Sequence, residues 1–352
     1  MSEEKITVSI VGGSGYAGGE LLRILLQHPH VRVKQATSNR NAGQSVSLLH
    51  PNLRGLTSLA FVSTADLEPC DLLFLAMPNG ESMRSIDRWL SLSGRLIDLG
   101  ADFRLKDAAN WKKWYGTDHA APRHLADFAP GIPELQADRI REARRVAGPG
   151  CEAIVSILSL YPFIKTGMIR AGDIIIDAKM GSSQAGGSPS PGSHHPERAG
   201  CVRSYKPTGH RHAAEIEQAL SPYAADISVG ISATAVEMVR GILVTIHARL
   251  SDPKMTEKDA WRALRSEYAG KPFIRIVKQQ QGLYRYPEPK ILQGTNFCEI
   301  GFEKEDGSDR LVILGAIDNL VKGTSGNGVQ CMNLMYGWPE TCGLEFPGLH
   351  PV

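Results

Sequence analysis

No two of the six cysteines are spaced as C-x-x-C, no apolar run is long enough to cross a bilayer, and the charges nearly cancel. The scattered thiols argue against a disulfide framework and against a cysteine-rich zinc site. The longest apolar runs, such as residues 72–77, are strand-sized, so no membrane span is expected. With 39 basic against 37 acidic side chains and a net charge of +2, a general nucleic-acid binder is not indicated. The acidic start, Met1 to Lys5, runs straight into a strand pattern instead of a signal peptide, so a cytoplasmic protein is expected. Internal repeats and low-complexity tails are also absent.

What remains is an ordinary globular composition, 42% hydrophobic and 22% charged, over 352 residues, enough for two domains. A β-rich run at 6–11 leads into Gly12-Gly13-Ser14-Gly15-Tyr16-Ala17-Gly18-Gly19 and then a helical pattern of leucines. Gly13, Gly15 and Gly18 fit G-x-G-x-x-G in the strand-turn-helix setting of a dinucleotide-binding fold. In that reading Gly13 makes the tight turn, Gly15 lets a pyrophosphate approach the backbone, and Gly18 permits close helix–strand packing. One more absence is informative: the second strand, 31–37, ends in Ser38-Asn39-Arg40, without the carboxylate that binds the ribose of NAD. Arg40 and Ser38 suit a 2′-phosphate instead, which favours NADP.

Further strands are expected at 71–76 and 95–99, the second leading to Asp98, Asp102 and Arg104. Residues 41–64 read as a surface connection, and 107–135 as a lid-like or packing excursion rich in turns, aromatics and prolines. The centre of the chain is Gly148-Pro149-Gly150-Cys151-Glu152-Ala153, a Gly/Pro turn joined to a thiol and an apolar helical run. If Cys151 opens that helix, unpaired N–H groups and the macrodipole favour a thiolate there, and the glycines leave space for a substrate carbonyl. The alternative is a small buried hydrophobe.

Beyond Cys151, strands at 173–179, 227–232, 241–250, 297–302 and 311–316 and a helix around 259–268 suggest a mixed or largely antiparallel sheet faced by helices. The fold class is therefore α/β: a Rossmann domain over 1–150, an α+β substrate and dimerisation domain over 151–325, and a C-terminal helix and tail over 326–352. A loop of small residues at 181–193 precedes the most basic stretch, with Arg198, Arg203, Lys206 and Arg211, which suggests an anionic substrate or partner. His194, His195, His210, His212 and Glu215 match no closed zinc site, and no metal is expected. On the residues alone, a zinc-dependent oxidoreductase and an NADPH-binding sensor with an inert Cys151 stay open as rival classes.

Four separated motifs, GGSGYAGGELLRIL, GPGCEA, KPTGHRHAAEIEQ and AIDNLVKGTSGNGVQ, stand in the order found in the N-acetyl-gamma-glutamyl-phosphate reductase family. The chain resembles that family through most of its length. The stretch SHHPERAGCVRSYKPTGHRH and the ending GWPETCGLEFPGLHP most resemble its lysine-biosynthetic branch, which reduces an aminoadipyl phosphate held on a small acidic carrier protein. The resemblance implies Cys151 as nucleophile, His210 as acid/base and Glu215 as its helper. It also implies NADP(H) contacts from Ser14, Gly15, Tyr16 and Ala17, from Ser38, Asn39 and Arg40, and from Asn319. A C-terminal helix returning to the first domain and a homo-oligomer, dimer or tetramer, are implied as well. One departure bears on the acyl pocket: the family commonly follows the cysteine with an aromatic residue and Pro-Thr, whereas Glu152-Ala153-Ile154 follow here. The arginine-pathway reductase, acting on free N-acetyl-glutamyl phosphate, is the enzymatic alternative.

Overall fold

The computed structural model describes residues 5–352. The chain divides into two units, one running to Pro149 and taking in Thr324–Glu345, the other Gly150–Gly323 with Phe346–Val352. The first holds β1 (Ile6–Val11), β2 (Val31–Ala36), β3 (Cys70–Leu75), β4 (Ser93–Asp98), β5 (Ala129–Pro130) and β6 (Arg145–Ala147), in the order β2-β1-β3-β4-β6-β5. Every pairing is parallel. That agrees with the unbroken apolar run Leu72 to Leu75, since helices bury a parallel sheet on both faces. The chain leaves β1 toward β2 on one side and β3 on the other, which makes the ends of β1 and β3 the switch point where such sheets hold ligands.

Helix Gly326–Met335 packs in this unit against Tyr16–Leu25 and Pro133–Glu142. Gly328 permits the approach, because a Cβ there would lie 2.9 Å from Leu99 Cδ2. The connection at 41–64 contains a short helix, Val46–Leu49. The excursion after β4 is packed into the core: Phe103 stacks on Phe128 at 4.1 Å, and both are buried with Trp111 and Leu125. Lys106 staples it, donating to the carbonyls of Phe103, Leu125 and Phe128 at 3.2, 3.1 and 2.6 Å, and burial pulls its ammonium down to about 8.

The second unit holds β7 (Ile174–Met180), β8 (Val202–Lys206), β9 (Val229–Val236), β10 (Ile242–Arg249), β11 (Ile274–Ile276), β12 (Cys298–Lys304) and β13 (Arg310–Ile317), ordered β11-β12-β13-β10-β7-β9-β8. The sheet is mixed: β7 with β9 and β11 with β12 are parallel, and the other neighbours are antiparallel. Alternating burial along β7, β9 and β10 marks one covered face. The helix Cys151–Lys165 lies against β10, β12 and β13, buried from Glu152 to Ile164. It comes so close that a Cβ on Gly315 would meet Ser159 Oγ at 2.3 Å. Phe346–Val352 belongs to this unit and not with the C-terminal helix, because Phe346 lies over Gly294 and Gly348 over the Ile291 carbonyl. Among the described residues no helix is long and apolar enough to cross a membrane.

Candidate active site

In the first unit the glycine loop is shaped by contacts that exclude side chains. Gly12 has φ +85°, and a Cβ there would strike Ala76 O at 2.3 Å, so the positive-φ turn falls one residue before the one expected, Gly13. Gly13 instead lies against Ala36, its would-be Cβ 2.9 Å from that methyl group, and a Cβ on Gly18 would lie 2.4 Å from Gly12 O. Gly15 differs, since a Cβ there would meet only Gly12 O at 3.7 Å. No protein contact requires glycine at that position, and it caps the helix Tyr16–Leu25 without a side-chain bond. An open, uncapped helix start fits a pyrophosphate.

Thr37 fixes the loop, its Oγ1 accepting from Gly12 N at 3.2 Å and its carbonyl from Gly13 N at 2.9 Å. His50 Nε2 lies 2.8 Å from Gly13 O, and Ser325 Oγ donates to Ala17 O at 2.9 Å. Ser14 is half-buried and Tyr16 exposed. Ser38 is buried and accepts from Asn41 Nδ2 at 2.9 Å, while Asn39 Oδ1 accepts from Thr64 N at 2.8 Å. Arg40 is exposed, with no ion-pair partner among the described residues. At the end of β3, Asp102 accepts from Gly80 N and Met83 N at 2.7 and 2.9 Å, and Asp98 accepts from Gly100 N and Ser82 Oγ at 2.9 and 3.1 Å. Full burial, then the Asp102 charge, pushes Asp98 up to about 7. Arg104 Nε donates to Gly148 O at 2.8 Å, and Gly148 N to Asp98 O at 2.7 Å, so the turn before the cysteine is held from both sides.

In the second unit Cys151 is the first residue of its helix, capped by Gly150 with no side-chain bond, and half-buried. Gly323 makes room for it, since a Cβ there would lie 2.7 Å from Cys151 Cβ. The structure gathers Glu152, His210, His212 and Glu215, all buried, around this helix start. Glu152 Oε2 lies 2.6 Å from His212 Nδ1 and 3.0 Å from His210 Nε2. Glu215 Oε2 accepts from Gly150 N at 2.8 Å, and Glu215 Oε1 is 3.8 Å from His212 Nε2. The histidine set against Glu215 is therefore His212, and His210 faces Glu152. His212 also presses on the turn, because a Cβ on Gly150 would meet its Nε2 at 2.3 Å.

Burial, only partly offset by Glu152 and reinforced by His212 and Arg211, pulls His210 down to about 4, so its ring is neutral at pH 7. Tyr205 is pushed up, first by burial and then by the Glu152 charge. Ligand atoms of Glu152, His210 and His212 lie within 4.8 Å of one another, with Glu152 hydrogen-bonded to His212 and 3.0 Å from His210. Asn319 Oδ1 accepts from Gly241 N at 2.8 Å, and its Nδ2 donates to Ser183 Oγ at 2.9 Å. In the basic stretch, Arg198 is taken up by the carbonyls of Met180 and Val236, at 3.1 and 2.7 Å, leaving Arg203, Lys206 and Arg211 exposed.

Sequence reasoning missed the buried pairings of Glu152 and His212 and the contributions of Thr37, His50 and Gly323. Only the H-x-x-E spacing of His212 and Glu215 offered a signal, since residues three apart on a helix share a face.

Comparison with known proteins accords with this geometry. Residues 7–143 match the semialdehyde dehydrogenase NAD binding domain, and residues 151–319 the semialdehyde dehydrogenase dimerisation domain. The chain is 49% identical over 352 residues, the full length of both, to the LysW-L-2-aminoadipate 6-phosphate reductase of Deinococcus radiodurans. It is 44% identical over 354 residues, covering 99% of this chain and 100% of the other, to a Saccharolobus solfataricus enzyme named for both LysW-L-2-aminoadipate and LysW-L-glutamate phosphates. In fold it resembles aspartate semialdehyde dehydrogenase II of Vibrio cholerae, with TM-score 0.72 and 14% identity over 95% of this chain and 99% of that one. The chain thus belongs to the semialdehyde dehydrogenase family, among the relatives of the LysW-linked aminoadipate phosphate reductases.

Proposed function

We propose that this chain reduces the acyl phosphate of an aminoadipyl group held on a small acidic carrier protein, releasing phosphate and a semialdehyde, with NADPH as reductant. The observation that carries the reading is Cys151 at an uncapped helix start, ringed by Glu152, His212 and Glu215. The N–H groups of that first turn stabilise a thiolate. The Cys151 sulfur attacks the acyl carbon, the C–O bond to phosphate breaks, and a thioester remains. NADPH, when bound, supplies the hydride that converts the thioester to a thiohemiacetal. The C–S bond then breaks to give the aldehyde and the free thiol. His212, set against Glu215, is the acid/base that the geometry favours over His210, and it manages the proton in attack and collapse. Gly13, Ser14, Gly15, Tyr16, Ala17 and Gly18 would hold the pyrophosphate, Ser38, Asn39 and Arg40 the 2′-phosphoribose, and Asn319 a further part of the cofactor.

The unit running to Pro149 is the cofactor domain in this reading, and the unit beginning at Gly150 the catalytic and oligomerisation domain. Arg203, Lys206 and Arg211 offer a positive surface to an acidic carrier. A homo-oligomer, dimer or tetramer, fits the dimerisation domain, and a free thiol nucleophile with NADPH fits the cytoplasm. The dual name of the Saccharolobus relative favours a second substrate, the carrier-linked glutamyl phosphate. One methylene is worth only about 1–3 kcal/mol of discrimination in a pocket.

The reverse reaction tests this: NADPH formation from NADP, phosphate and an aldehyde, comparing carrier-linked aminoadipate semialdehyde, carrier-linked glutamate semialdehyde and free N-acetyl-glutamate semialdehyde. Fast turnover with the carrier-linked aldehydes alone is expected. Fast turnover with the free acetylated aldehyde would return the enzyme to arginine synthesis.

A further inference from the structure

We infer that Glu152 is a positioning residue that fixes the tautomer of His212 and so leaves His212 Nε2 as the atom that takes and returns the proton of Cys151. This rests on the thioester reading above. Glu152 follows the nucleophile in the same helical turn and is 1% exposed. A carboxylate buried so deeply needs a donor, and it has one in His212 Nδ1 at 2.6 Å on Oε2, with His210 Nε2 3.0 Å from the same oxygen. Its other oxygen, Oε1, is buried with no hydrogen-bond partner among the described residues.

An ionised carboxylate only accepts, so the nitrogen facing it carries the hydrogen. For His212 that nitrogen is Nδ1, and in the neutral ring the bare nitrogen is then Nε2. His212 Nε2 is also the atom pressed against Gly150, the residue before Cys151, with Glu215 Oε1 3.8 Å away. In His210 the assignment is the reverse: Nε2 faces Glu152, and Nδ1 accepts from His212 N at 3.4 Å. His210 thus turns both nitrogens toward the cluster, Nε2 on Glu152 and Nδ1 on His212 N, while His212 bonds Glu152 through Nδ1 and leaves Nε2 for chemistry.

The proton step balances within these residues. The S–H bond of Cys151 breaks, an N–H bond forms on His212 Nε2, and the imidazolium is held between Glu152 and Glu215. Hydride addition to the thioester would leave the thiohemiacetal as its oxyanion; as that C–O⁻ becomes the aldehyde carbonyl the C–S bond breaks, and the His212 proton returns to sulfur. The charged and titratable groups of this cluster, linked through Tyr205 and His210, are Cys151 and Glu152 on the helix, Tyr205 on β8, and His210, Arg211 and Glu215 beside His212 in the chain.

Glu152→Gln tests the assignment in the otherwise intact enzyme, because an amide NH2 can donate to Nδ1 and select the other tautomer. In the reverse reaction kcat is expected to fall about 10²–10³-fold, with KM for NADP and semialdehyde within twofold. The pH midpoint of Cys151 alkylation by iodoacetamide should rise toward that of a free thiol, and Glu152→Asp should recover part of both. A merely structural role would not move that midpoint. If Glu152→Gln does not fold, ¹⁵N shifts of the histidine rings in the wild-type protein decide: hydrogen on Nδ1 of His212 is expected, and hydrogen on Nε2 overturns the inference. An unchanged kcat and midpoint in Glu152→Gln, with Cys151→Ser inactive, would also overturn it while leaving the thioester reading standing. Residual turnover in Cys151→Ser would instead sink that reading.

Discussion

Each unit contains a helix that starts on a glycine with no side-chain cap: Gly15 at φ −79°, ψ 171° and Gly150 at φ −66°, ψ 149°. The two starts share a backbone shape and serve opposite ends. Around the first, glycines let backbone meet backbone, as at Gly18 against Gly12 O, and the helix start stays bare for an anion that the protein does not supply. Around the second, the helix opens on a thiol that in the proposed mechanism carries the negative charge itself, and the missing side chain of Gly150 makes room for the His212 ring. An uncapped helix start is therefore a place for negative charge, and the residues behind it decide whether that charge is bound or reactive.

Cys151→Ser should break the contrast most severely, lowering turnover by about 10³-fold or more while NADPH affinity, measured by fluorescence titration, stays unchanged. A pair of alanines sharpens it. Gly18→Ala forces a methyl into the Gly12 backbone and should cost tenfold or more in NADPH affinity together with a lower Tm. Gly150→Ala pushes His212 off Glu152 and should lower kcat about 10–100-fold with NADPH affinity intact. Arg40→Ala should raise KM for NADPH about tenfold and leave KM for NADH alone, because only the 2′-phosphate is lost as a partner.

The smallest effect is in pH dependence, and the two units oppose each other. His210, at about 4 in the fold against an ordinary 6.5, contributes stability that is full above 6.5 and is lost as pH falls toward 4. Asp98, at about 7 against an ordinary 3.8, contributes stability that is full below 3.8 and is lost as pH rises through 7. Melting curves between pH 4 and 7 should therefore show a steeper rise of Tm with pH in Asp98→Asn and a flatter one in His210→Asn.

The cofactor loop was legible because its requirements are local: glycine spacing, a strand before and a helix after. The same locality exposed the missing ribose carboxylate. Even there the positive-φ turn fell at Gly12 instead of Gly13, since the clash that demands glycine comes from Ala76, just past the end of β3. The helix start at Cys151 was legible from its turn and the apolar run behind it. The pairing of His212 with Glu152 was not, because the two are 60 positions apart and meet only through packing. In a G-H-R-H run nothing local says which ring will meet Glu152 and which will press on Gly150.

The central claim is the covalent bond between Cys151 and the acyl group, and intact-mass measurement after mixing the enzyme with the carrier-linked acyl phosphate tests it most directly. With NADPH withheld, the carrier should become joined to the enzyme through a thioester on the Cys151 peptide and be discharged as semialdehyde when NADPH is added. Aldehyde production with no such adduct, and with Cys151→Ser still turning over, would contradict the account.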